Sequence, residues 1–209
     1  MKTTTFKHAA MVLAVAGSVA MSFAAQAADG PWLVRVRAVN LESANGDSTG
    51  LGLSINNKTI PEIDFSYFFT PQIAAELILT YPQKQTIHSS VVGADIGSFK
   101  HLPPTLTVQY HFTTMGAFKP YLGAGVNYTR ISDVSFIPAV VTSLHPDLSR
   151  NSYGLALQVG ADYEIAKNTY LNLDVKKVDI RADVKSSGTK VGEFKVDPLL
   201  VGLGIGWRF

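Results

Sequence analysis

The sequence contains no cysteine, few charges and, beyond its N-terminal segment, no long apolar run. Without cysteine there is no disulfide framework, thiolate metal site or thiol nucleophile. Charged residues make up 16% of the 209 positions and the mean hydropathy is +0.16. Soluble domains average about 25% charged residues, and disordered chains carry more charge and less apolar content than this one. His88, His101, His111 and His145 show no metal-ligand spacing, so no metal or other cofactor is expected. No later stretch reaches the roughly 18 uninterrupted apolar residues of a transmembrane helix.

What is present begins with an address. Lys2 and Lys7 precede an apolar run from Ala9 to Phe23, and Ala25-Gln26-Ala27 follows. A basic start, a short apolar stretch and a small-x-small site predict a secretory signal peptide over 1–27, leaving a barrel over 28–209. The run is shorter than the ~20 residues of a membrane anchor. Its removal takes two lysines and no carboxylate from totals of 18 basic and 16 acidic residues, so the remainder is formally neutral. The basic pI of 8.7 therefore belongs largely to the leader, and no nucleic-acid partner is expected.

Eight later segments alternate apolar with polar or small residues over about 8–11 positions, the length of a strand tilted across a bilayer. Trp32, Val34 and Val36 alternate with Arg35 and Arg37, and Ile63, Phe65 and Tyr67 with Glu62, Asp64 and Ser66. Ala75 and Leu77 flank Glu76; Leu106, Val108 and Tyr110 alternate with Thr107, Gln109 and His111. Leu122, Ala124 and Val126 oppose Gly123 and Gly125, and Leu157 and Val159 precede Asp162. Leu171, Leu173 and Val175 oppose Asn172, Asp174 and Lys176; Leu203, Ile205 and Trp207 oppose Gly204, Gly206 and Arg208. After Lys177 the apolar set shifts to Val178, Ile180, Ala182 and Val184, as either a β-bulge or a strand leaving the membrane would produce.

Short connections around 70–72, 113–117 and 166–168 take turns with long ones at 41–61, 82–103, 131–151 and 181–197. This predicts an all-β fold: an eight-stranded antiparallel transmembrane β-barrel with short periplasmic turns and long extracellular loops. A soluble carrier barrel would turn the apolar face inward. Here the other face mixes small residues with opposite charges, as a narrow interior requires. The expected polar lumen network comprises Arg35, Arg37, Glu62, Asp64, Glu76, Gln109, His111, Asp162, Asp174 and Arg208. The long loops carry Leu53, Ile55, Phe99, Phe136 and Ile137, candidates for a hydrophobic entrance; packing of the loops on one another would account for them equally.

His101-Leu102-Pro103-Pro104-Thr105-Leu106, Lys119-Pro120-Tyr121-Leu122-Gly123-Ala124-Gly125-Val126-Asn127-Tyr128-Thr129, Gln158-Val159-Gly160-Ala161-Asp162-Tyr163 and Val196-Asp197-Pro198 resemble the outer-membrane protein W family over nearly the whole mature chain. The resemblance implies a cell outer-membrane location and passive uptake of small, mostly hydrophobic molecules, released sideways through the wall. Pro103 and Pro104 are candidates for that opening, because proline supplies no ladder N–H; ending a loop is their other reading. Trp207 and the terminal Phe209 resemble the signal read by the barrel-assembly machinery. Outer-membrane lipids, lipopolysaccharide and small hydrophobic solutes complete the expected partners, around a monomer. The competing reading is a structural, adhesive or receptor barrel with a closed lumen. Enzymatic function is not expected: His88-Ser89-Ser90 is the only close Ser/His grouping and shows no acidic orienter. Gly123-x-Gly125 and Gly202-x-Gly204-x-Gly206 lack the following helix of a phosphate loop, so crowding or strand bending accounts for them.

Overall fold

The computed structural model describes residues 30–209; the signal peptide expected over 1–27 lies outside the described residues. The chain runs through β1 (Trp32–Glu42), β2 (Gly46–Asp47), β3 (Leu53–Ile55), β4 (Lys58–Phe68), β5 (Ile73–Leu79), β6 (Gln83–Ser89), β7 (Ala94–Leu102), β8 (Thr105–His111) and β9 (Phe118–Phe136). There follow α1 (Pro138–Leu144), β10 (Pro146–Leu148), β11 (Asn151–Ala166), β12 (Thr169–Val178), β13 (Arg181–Ser186), β14 (Thr189–Lys195) and β15 (Leu199–Arg208).

Eight of these close an antiparallel barrel in the order β1-β4-β5-β8-β9-β11-β12-β15, with β15 returning to β1. Closure pairs every strand on both sides, the condition for crossing a bilayer without exposed backbone. Three connections are tight. In one, Thr70 Oγ1 accepts the Ile73 amide at 3.0 Å; in another, Asn168 takes a left-handed φ of 58°, a conformation asparagine tolerates.

The outward face is apolar and bare: Leu106, Val108, Leu155, Leu157 and Leu203 are all more than half exposed. Aromatic girdles bound it. Trp32, Tyr67 and Phe69 stack edge-to-face at the turn end, with centroids 4.9 and 5.2 Å apart. Tyr128 and Tyr153 meet at 5.2 Å near the other end. The stretch of β9 from Phe118 to Tyr128 rises about 34 Å along the strand, and about 25 Å along the membrane normal at the usual tilt. That height matches a bilayer core.

Beyond the upper girdle the polarity inverts. Even-numbered residues from Tyr170 to Val184 all point inward, with no change of phase. What changes is the surroundings, so the shift after Lys177 marks the chain leaving the membrane and not a bulge. Outside it faces water; inside, Val178, Ile180, Ala182 and Val184 join a core with Leu53, Ile55, Ile87, Phe99, Ile131 and Phe194. This extracellular collar is built by β3, β6, β7 and upper β9 on one side and by the four-stranded sheet β10-β13-β14-β2 on the other. Side chains join the two at one edge: Asp47 Oδ2 accepts the Leu53 amide at 3.0 Å and Asn45 Oδ1 the Ile55 amide at 2.8 Å.

Candidate functional site

The lumen is layered by parity. On β1 the inward residues are Leu33, Arg35, Arg37, Val39 and Leu41: an apolar floor, a charged middle and an apolar roof. The same order appears on β4 as Phe68, Ser66, Asp64, Glu62 and Ile60.

In the floor Leu33, Phe68, Ala74 and Tyr170 pack together. His111 lies between the Phe68 and Tyr121 rings, at centroid distances of 4.8 and 4.9 Å. Its Nε2 lies 2.9 Å from Gln109 Oε1, so it serves the network as a hydrogen-bonding group.

Above it, Arg35 donates Nε and Nη2 to the two oxygens of Asp162 at 3.0 and 2.7 Å, and Nη1 to Asp64 at 3.0 Å. Arg37 donates Nη1 to Glu62 at 2.9 Å, Nη2 to Glu76 at 3.0 Å and Nε to Asn172 at 2.7 Å. Lys176 joins Glu62 and Asp174 at 2.6 and 2.8 Å. Neutral donors complete the carboxylates: Gln109 Nε2 to Glu76 at 2.8 Å, Tyr121 Oη to Asp174 at 2.8 Å and Gln158 Nε2 to Asp174 at 2.7 Å. Buried charges persist only when paired and bonded in this way. The tier spans the lumen from β1 to β11 and closes the axial route.

Nine of the ten residues expected in this network are brought together. Arg208 is not. It sits at the floor's lower edge, its Nε donating to the Gly30 carbonyl at 3.0 Å and its guanidinium carbon 4.1 Å from the Phe68 ring centroid. Lys176, whose charge the alternation also turns inward, joins the nine, and Tyr121, Gln158 and Asn172 belong to the network although sequence reasoning left them out of it. For all three the inward parity was the available signal: Tyr121 falls on the face of Gly123 and Gly125.

The glycines of β15 make room for this tier. Gly206 and Gly204 stand opposite Arg35 and Arg37. A Cβ on Gly206 would lie 2.9 Å from Arg35 Cγ. Crowding is the reason for the repeat.

Two apolar cavities lie above the charged tier. One of about 60 Å³ in the collar is lined by Leu53, Ile87, Phe99, Phe136, Val140 and Val184, among others. Leu53, Phe99 and Phe136 thus line this cavity, and Ile55 packs in the core beside them. Ile137 does not: it caps the N-terminus of α1 and is 37% exposed. The second cavity, of about 20 Å³, is bounded by Leu41, Ile60, Ile78, Thr80, Pro103, Thr105 and Asn127, with Glu62 and Lys176 below.

The wall beside the second cavity is interrupted. The β5–β8 ladder ends at Ile78↔Thr105 and the β6–β7 ladder at Gln83↔His101, leaving 80–82 opposite 103–104 outside both. On the other flank Tyr128 N donates to Pro104 O at 3.1 Å, while Asn127 Nδ2 reaches the Pro103 and Pro104 carbonyls at 3.2 and 3.1 Å.

The exposed His88 does have an acidic partner, Asp95, at 3.0 Å, contrary to the expectation that no orienter is present. Ser89, however, turns into the collar and donates to the Leu51 carbonyl at 2.7 Å, so no nucleophile–base pair forms between them. Trp207 pairs with Val34 and Thr169, and Phe209 exchanges two backbone hydrogen bonds with Trp32, fastening the last strand to the first.

Residues 30–209 match the model of the OmpW family. Outer membrane protein W of Escherichia coli strain K12 is 36% identical over 80% of this chain and 82% of its own length. A Pseudomonas aeruginosa relative, dibenzothiophene metabolism operon protein PahQ, is 29% identical over 88% of this chain and 90% of its own. The crystal structure of OprG from Pseudomonas aeruginosa shares the fold, with a TM-score of 0.73 at 24% identity, covering 87% of this chain and 97% of that one. A closed eight-stranded barrel, a layered lumen and a match along its whole described length agree: the chain belongs to the OmpW family of outer-membrane β-barrels.

Proposed function

We propose that this barrel is a passive conduit for small hydrophobic molecules. They enter the collar cavity, pass to the inner cavity and leave sideways into the membrane between 80–82 and 103–104. The observation that carries this reading is the stacking of two apolar cavities above a charged tier that closes the axial route. An apolar solute will not cross buried ion pairs, and the interrupted ladder beside the inner cavity is the low-cost way out. At roughly 10–15 Å³ per water-sized group, the cavities hold only small groups, so a solute advances by displacing side chains. The dibenzothiophene operon name of one relative supports an apolar cargo. Lys84 and Arg130, exposed just above the upper girdle, suit the phosphates of lipopolysaccharide. Trp207 and Phe209 offer a terminal pattern to the assembly machinery.

The test is uptake of 1-methylnaphthalene by vesicles whose outer leaflet is lipopolysaccharide, the barrier that slows apolar solutes. The protein accelerates uptake over protein-free vesicles, and Pro103→Ala slows it by restoring an N–H beside 80–82; Pro104 bonds the Tyr128 amide through its carbonyl, so its nitrogen faces β9. No acceleration overturns the conduit in favour of a receptor or adhesive barrel. Acceleration untouched by Pro103→Ala removes the lateral exit.

A further inference from the structure

Between the two apolar cavities lies a group of buried polar side chains that the conduit does not explain. Gln83, Gln85 and His101 are each 0% exposed. Gln83 and His101 are direct partners in the β6–β7 ladder, and Gln85 stands opposite Phe99, diagonal to His101. Directly opposite and diagonal side chains on one sheet face lie within reach of each other. All point into the collar, because Ile87 and Phe99 on the same faces line its cavity. Along β7 the inward series is therefore Phe99 at the collar cavity, His101, then Pro103 at the inner cavity.

Five atoms here have no hydrogen-bond partner among the described residues: Gln83 Oε1, both Gln85 amide atoms and both His101 ring nitrogens. Gln83 Nε2 is held by the Tyr81 carbonyl at 2.8 Å, which leaves its oxygen free. Buried polar atoms without partners are rare in native proteins, and where they occur together they await a bond from something else.

We infer that Gln83, Gln85 and His101 form a polar subsite that receives the hydroxyl group of an alcohol or phenol while its hydrocarbon body occupies the neighbouring apolar cavities. The free set offers acceptors at Gln83 Oε1, Gln85 Oε1 and one imidazole nitrogen. It offers donors at the Gln85 amide and the other imidazole nitrogen. A hydroxyl both donates and accepts, so it satisfies both kinds. A carboxylate or ketone only accepts and leaves the glutamine oxygens unmet. Burial, aided by Lys58, pushes the His101 imidazole down to about 4, so it is neutral at neutral pH and suited to an uncharged group. The subsite deepens the conduit reading, on which it rests for the route by which the ligand arrives.

The experiment compares 1-naphthol with 1-methylnaphthalene, molecules of similar shape that exchange a hydroxyl for a methyl. Binding to the full mature protein in lipid nanodiscs is measured against empty nanodiscs. The protein prefers 1-naphthol by about tenfold, the effect of a buried polar group gaining or missing its partner. The preference falls to within about twofold in Gln85→Leu and in His101→Phe. Heat-modifiable gel mobility identifies folded samples. In the wild type, which needs no variant, 1-naphthol shifts the ring 15N signals of His101 and 1-methylnaphthalene does not.

No wild-type preference, a preference that survives both substitutions, or silent His101 signals overturn the subsite in favour of a pocket that serves water only. Vesicle uptake of 1-methylnaphthalene judges the conduit separately. Uptake without preference leaves the conduit and removes the subsite. Preference without uptake of either probe leaves the subsite and removes the conduit.

Discussion

Arg35 holds Asp162 across the lumen through two parallel hydrogen bonds, at 3.0 and 2.7 Å, although β1 and β11 are not neighbours in the wall. This bidentate pair is a strut: it ties opposite sides of the barrel together where no backbone ladder can. Asp162→Ala leaves a buried guanidinium short of its bidentate partner and lowers stability by about 3 kcal/mol, the low end for a broken buried pair because Asp64 and Glu76 remain. Asp162→Asn keeps shape and one acceptor and loses less. Urea unfolding in lipid vesicles ranks the two. Equal stability of wild type and Asp162→Ala would show that the strut bears no strain.

Gly204 and Gly202 differ in what a methyl would meet. On Gly204 a Cβ would lie 2.1 Å from the Val36 carbonyl oxygen and 2.8 Å from Arg37 Cα, both backbone. On Gly202 its nearest neighbours are side-chain atoms, Val39 Cγ2 at 3.2 Å and Arg37 Cδ at 3.3 Å, which can move. Gly204→Ala is therefore the more damaging, by about 1–3 kcal/mol of overpacking, and Gly202→Ala is nearly tolerated. The fraction folded after dilution from urea reads the difference.

Acid loosens the collar through His101. Its folded pKa, about 4, lies below the ordinary 6.5, so protons bind the opened collar first. The stabilisation is complete above about pH 6.5 and is lost as pH falls towards 4. At full extent it amounts to about 3 kcal/mol by linkage. Amide hydrogen exchange along β6 and β7 accelerates over that window in the wild type. In His101→Phe the acceleration disappears.

Asp47 governs the seam of the collar at lower pH. Burial raises its carboxyl pKa, but amide hydrogen bonds from Leu53 and Thr49 and the Thr49 hydroxyl outweigh this and hold it below the usual 3.8. The seam is thus stabilised above that value and released as pH falls through the lowered one. Asp47→Ala removes the acceptor at every pH, and exchange of the Leu53 amide rises about tenfold. Unchanged exchange would show that the Leu53 amide does not depend on Asp47.

The strands were legible because a barrel wall has one side in lipid and the other in a crowded lumen. Period-two alternation in Ile63–Phe69 or Leu171–Lys176 states that boundary residue by residue. Short turns beside long loops fixed the order and direction of the strands. Charge pairing was legible as composition: Arg35, Arg37 and the carboxylates had to meet inside. Which of them meet was not. Arg208 shares their parity and lies at the floor, while Tyr121 completes Asp174 from two strands away, across β11. Height along the barrel axis, which separates these cases, depends on strand tilt and register. The collar shows the same division. Its apolar content was visible, but Phe99 lines the cavity while Ile137 faces outward. Gln83, Gln85 and His101 converge only because β6 folds back on β7. By itself the sequence determined which side of each strand meets lipid, since that depends on neighbours one and two residues away. The tertiary structure decided which inward side chains share a level, because the hydrogen bonds of the charged tier join residues up to 135 positions apart.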